Sequence, residues 1–135
     1  MKTLLFALIL TATTPNIDTL HIGDNTLTLQ AEAWRNMMPG PDVIDRGTVI
    51  TVWLTETTNK RIPPTLEITR VWAIQVRDTW KSNYSGERRI NSLTVRKAPS
   101  YDIGSYISVV AEVWDTRTNQ LHYIAAVCVQ VKEVH

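Results

Sequence analysis

Apolar residues recur at every second position near the C-terminus: Ile107, Val109, Ala111 and Val113, and after a polar break Val127, Val129 and Val131. A period of two is that of an extended strand with one buried face. The break between the runs, Asp115-Thr-Arg-Thr-Asn-Gln120, carries turn-forming residues, so the stretch Tyr101–Val131 reads as a long β-hairpin. In that hairpin Ile107, Val109, Ala111 and Val113 face inward and Glu112 outward. On the second strand Val127, Val129 and Val131 face inward, with Cys128 and Gln130 in the opposite phase. The rest of the chain must pack against this element.

Further strands follow the same logic. Leu27, Leu29, Ala31 and Ala33 alternate with Thr28, Gln30, Glu32 and Trp34 after a turn at Gly23-Asp-Asn25. Ile50, Val52 and Leu54 alternate with Thr51, Trp53 and Thr55 in a strand over residues 48–55. Met37-Met-Pro-Gly-Pro-Asp42 is a loop, because two prolines around a glycine cannot continue a central strand. Leu66–Val76 is rich in β-formers with no clear facing, Thr79–Lys81 is a short edge strand, and Ile90–Val95 forms another strand. No window has sustained helical periodicity with caps. Short strands at regular spacing indicate an all-β sandwich or barrel.

The length of 135 residues fits one domain with a sizeable core. Fourteen basic and 13 acidic residues leave a net charge of +1, which gives no electrostatic case for nucleic acid or an anionic membrane. Met1-Lys2, the apolar Thr3–Leu10 and the small-residue stretch Thr11–Pro15 have the three parts of a secretory signal peptide, and are too short to span a bilayer. The expected organisation is a signal peptide at 1–13 and a β-sandwich domain at 14–135. The expected location is therefore secreted or periplasmic. The alternative for the leader is a first strand tucked into the sheet. Cys128 is the single cysteine, so no intrachain disulfide can form and the core alone must hold the domain.

Leu93-Thr-Val95, Asp102-x-Gly104 and Tyr106 stand at the spacing that immunoglobulin-like domains use where strand E turns into strand F, so residues 93–108 resemble that family. There the tyrosine makes a corner that bonds back to the backbone. Ser108 stands where an antibody-type domain has its second disulfide cysteine. An inward Tyr106 would also turn four apolar residues out of the core, each worth about 1–3 kcal/mol, against a corner hydrogen bond of about 1 kcal/mol. The resemblance is thus to the wider group of disulfide-free, fibronectin type III-like or bacterial immunoglobulin-like sandwiches. It implies an all-β fold, an antiparallel β-sandwich of about seven strands, and carries over no catalytic residue.

Chemistry is sparse. His21, His122 and His135 are the only histidines, and none sits in a nucleophile or metal-ligand motif. Carboxylates are scattered singly, and no glycine-rich phosphate loop is present. The expectation is a non-enzyme with no catalytic or metal residue and no cofactor, acting by surface recognition of a protein partner. Trp34, Trp53 and Trp114, in the polar phase of their strands, are the candidate contact residues. Two alternatives remain: a carbohydrate-binding module using these tryptophans, and a copper carrier using Met37-Met38 with His21, His122 and Cys128. Asn83-Tyr-Ser85 is an N-glycosylation sequon.

Overall fold

The computed structural model describes residues 18–37, 47–58, 61–76, 78–82, 87–89 and 91–134. The leader at 1–13, Met38, the sequon at 83–85 and His135 lie outside the described residues. The described chain is all β, with strands β1 (Thr19–Ile22), β2 (Asn25–Asn36), β3 (Thr48–Glu56), β4 (Leu66–Gln75), β5 (Asp78–Lys81), β6 (Glu87–Arg89), β7 (Ser92–Ala98), β8 (Tyr106–Asp115) and β9 (Gln120–Val134). Their order is β5-β4-β8-β9-β2-β3-β7-β6, with β1 added to β2. The sheet curls so that β6-β7-β3-β2 faces β9-β8-β4-β5. One hydrophobic core is shared, with Leu27, Ile50, Val52 and Leu93 from one layer and Val71, Val109, Val113 and Ile124 from the other.

The layers join along one edge. Neighbouring strands pair antiparallel except β2 and β9, which run parallel from Ala33↔Val131 to Asn36↔Val134. The sheet is therefore mixed where the resemblance implied a purely antiparallel sandwich. The hairpin β8–β9 holds its expected place, with Ile107, Val109, Ala111 and Val113 all buried.

On β9 the inward set is corrected. Val129 and Val131 are buried, but Val127 is 64% exposed. Ile107 pairs with Val129 and Val109 with Ala126, so both Val127 and Cys128 stand opposite Ser108. This is a β-bulge, and Cys128 takes a left-handed φ of 57° within it. An extra residue reverses the phase of everything before it. Ala126 and Ile124 therefore supply the inner face in place of Val127. Tyr106 is 58% exposed and forms no buried corner; the buried tyrosine is Tyr101.

Three other strands differ from expectation. Thr19–Ile22 forms β1, which pairs with Asn25–Thr28 across the Gly23-Asp24 turn. The strand expected at 90–95 is β7, which runs from Ser92 to Ala98, and an additional short strand, β6, precedes it, with Asn91 left-handed in the turn between them. On β4, a bulge between Ile68 and Arg70 settles the facing. Leu66, Ile68, Val71 and Ala73 join the shared core, while Trp72 and Ile74 lie on the outer face with Val110 and Ala125.

Candidate recognition surface

The three tryptophans singled out in the sequence are spread over the molecule. Trp34 pairs with Val49, and Trp53 pairs with Gln30 and Ser92. Both are half-buried on the outer face of the β2–β3 layer. Trp114 lies on the other layer, between Glu67 and Leu121, also half-buried. They therefore form no common platform.

The outer face around Trp114 covers itself. Trp72 and Tyr123 meet edge to face with ring centroids 5.9 Å apart. Val110 and Ala125 are buried with them, and Ile74 packs alongside. Glu112 keeps the outward direction expected from alternation, yet it is buried. Its carboxylate accepts hydrogen bonds from the Thr69 hydroxyl at 3.0 Å and the Tyr123 hydroxyl at 3.1 Å. Burial raises the Tyr123 pKa, as do the charge of Glu112 and its hydrogen bond; Arg70 works the other way. A carboxylate satisfied by two hydroxyls can sit in an apolar cluster at tolerable cost.

The exposed apolar surface gathers elsewhere. Among the described residues the large hydrophobics that stand exposed are Met37, Val76, Ile103, Tyr106, Val127 and Val134. The register places them toward one end of the sandwich. Met37 follows β2, whose Asn36 pairs with Val134. Tyr106 pairs with Gln130, and Val127 sits in the adjacent bulge. Val76 turns β4 into β5, and the neighbouring Gln75 amide donates to the Ser105 hydroxyl at 3.0 Å.

The loop from Pro99 to Ser105, which carries Ile103, is held firmly. The buried Thr48 hydroxyl donates to the Pro99 carbonyl at 2.7 Å and accepts from the Tyr101 N–H at 3.4 Å. Arg35 donates to the Tyr101 carbonyl at 3.1 Å. Asp102–Ser105 is a tight turn closed by Ser105 N–H on the Asp102 carbonyl, with Gly104 at φ 88°. That third position of a type II turn needs a positive φ, which glycine adopts freely. Gly104 and Ser105 then bond to both backbone groups of Val131 at 2.8 Å. Tyr101 itself is buried, which raises its pKa, and Asp78 adds to the effect.

Continuous with this end, and sharing Tyr106, Val127 and Val134 with it, runs a groove of about 770 Å³ between β2 and β9, whose other walls include Leu29, Ala31, Trp34, Ala126, Cys128 and Val129. Trp34 is the one candidate tryptophan it includes. The possible copper ligands are not gathered: among the described residues no group of three or more His, Cys, Asp or Glu converges. His21 lies on β1 against Thr26, His122 opposite Val113, and Cys128 in the bulge. Among the described residues no helix is long and apolar enough to cross a membrane.

Sequence reasoning passed over the exposed end because its members lie in turns, a bulge and strand termini, where alternation says nothing about facing. Comparison of the chain with protein-family models, with curated proteins and with solved structures returned no match.

Proposed function

We propose that the protein is an exported, non-catalytic module of immunoglobulin-like type that recognises a protein partner through its exposed apolar end. The strand order supports the family reading. With β2 to β9 lettered A, B, C, C′, D, E, F and G, the layers are A-B-E-D and C′-C-F-G, the arrangement of immunoglobulin-like sandwiches. The apolar leader supports the export reading. The observation that carries recognition is the gathering of Met37, Val76, Ile103, Tyr106, Val127 and Val134 at one end. Apolar patches on a rigid frame mark interaction sites more often than scattered single residues do. The anchored Pro99–Ser105 loop makes this patch preorganised, which lowers the ordering cost of binding.

Site-specific photo-crosslinking tests this. A photoreactive side chain at Tyr106 or Val76, expressed in the native host, is expected to trap the same protein partner, while one at Trp53 traps none. Cross-linking at Trp53 with none at Tyr106 or Val76 would refute the assignment. Mass spectrometry of the mature protein tests export, which predicts loss of residues up to about Ala12 or Thr13; an intact Met1 would refute it.

A further inference from the structure

We propose that the groove between β2 and β9 receives an extended peptide of alternating apolar residues with basic flanks, which adds to β2 as a strand along Leu29–Glu32. Three observations lead there, and none depends on the apolar end being a recognition surface.

The first is an open stretch of main chain. On the edge away from β3, β2 pairs with β1 as far as Thr28 and with β9 from Ala33 onward. Among the described residues Leu29–Glu32 have no strand partner on this edge. Alternate residues there direct N–H and C=O groups into the groove, and a guest strand would satisfy them by β-augmentation. The flanking pairs already fix the edge in strand geometry.

The second is size. The inner wall carries small residues where a core would carry large ones. Ala31 and Ala126 are only partly buried against the shared core, and the groove opens over them. A guest with an apolar side chain at every second position would fill this space. The third is charge. Asp18 and Glu32 line the groove beside a single lysine, Lys132. Outward positions of the guest therefore favour Lys or Arg, which contribute more to orientation and encounter than to affinity.

The test uses the full chain and a synthetic peptide, Lys-Val-Thr-Val-Thr-Val-Lys, compared with the same peptide N-methylated at alternate residues on its pairing edge. NMR titration is expected to shift the amides of Leu29–Glu32 and of Ala126–Gln130, and N-methylation to weaken binding about tenfold or more by removing ladder hydrogen bonds. Ala31→Leu and Ala126→Leu each fill the groove and are expected to abolish these shifts at an unchanged melting temperature. Val76→Ser/Ile103→Ser, which alters the apolar end alone, is expected to leave peptide binding intact. Equal binding of the N-methylated peptide would overturn the proposal, as would no shift with either peptide. Amides at Leu29–Glu32 already protected from hydrogen exchange in the free protein would also overturn it, since another segment or a second copy would then hold the edge. Should both leucine variants fail to fold, the N-methyl comparison on the unaltered chain decides.

Discussion

A β-branched residue with positive φ is strained, because Cβ crowds the backbone. Val76 has φ 54° and is 92% exposed, so it is held in this conformation with almost no packing in return. Asparagine tolerates the left-handed region better. Val76→Asn is accordingly expected to raise stability by about 1 kcal/mol in urea denaturation, while weakening the partner cross-link at Tyr106. Unchanged or lower stability would mean that the turn is not strained. Asp115 behaves in the opposite sense. Burial opposes its ionisation, but hydrogen bonds from the Thr118 side chain and from the Arg117 and Thr118 backbone, with the Arg117 charge, hold its pKa below the usual carboxylate value. A folded-state pKa below the unfolded one means that the ionised form stabilises the fold at neutral pH. That contribution is present above the ordinary value of about 4 and lost as pH falls through the lower folded value. Asp115→Asn keeps an acceptor for the Arg117 N–H, which lies 3.0 Å from the carboxylate. It is expected to cost about 1 kcal/mol at pH 7 and nothing once pH is below the folded value. A difference that persists there would point to lost packing instead of charge.

At the level of elements, β8 could be read from its residues and β9 only in part. Four alternating apolar residues on β8 can be buried together in one register, and they are. On β9 the same rule assigned Val127 to the core, because the bulge at Val127–Cys128 has no local marker such as glycine. The turn at Asn91 and the pairing of β1 were equally silent, since Thr19–Ile22 is too short to display a period. The apolar end was illegible for a further reason: its members come from five separate stretches that only the topology brings together. Gly47 shows how closely the elements fit. It precedes β3 with φ 71°, and a Cβ there would collide with the Ala98 carbonyl oxygen on β7. Gly47→Ala combines that clash with backbone strain and is expected to cost about 2 kcal/mol or more. Thr48→Val removes the hydroxyl that bonds Pro99 and Tyr101, and is expected to cost about 1–3 kcal/mol. It should also speed amide exchange at Tyr101–Ser105; exchange left unaltered there would show that Arg35 and Val131 suffice to anchor the loop.

For the whole molecule, the two layers cohere without an intrachain disulfide, since Cys128 is the single cysteine. They share one core and one parallel ladder, and Val131 belongs to both: it is fully buried, pairs with Ala33, and bonds through its backbone to Gly104 and Ser105. Because each layer leaves an apolar face open without the other, neither has reason to fold alone. A single cooperative transition should follow. Val131→Ala deletes methyl groups at the seam and is expected to cost about 2–3 kcal/mol through lost burial and the cavity left behind. The midpoints reported by far-UV circular dichroism and by tryptophan fluorescence should fall together, since Trp34 and Trp53 report one layer and Trp72, Trp80 and Trp114 the other. If the fluorescence and circular dichroism midpoints separated in the variant, the layers would be independent units and the β2–β9 ladder only a tether. Coincident midpoints at lower denaturant would place the cooperative unit across the seam, where the strand groove opens and the apolar end is assembled.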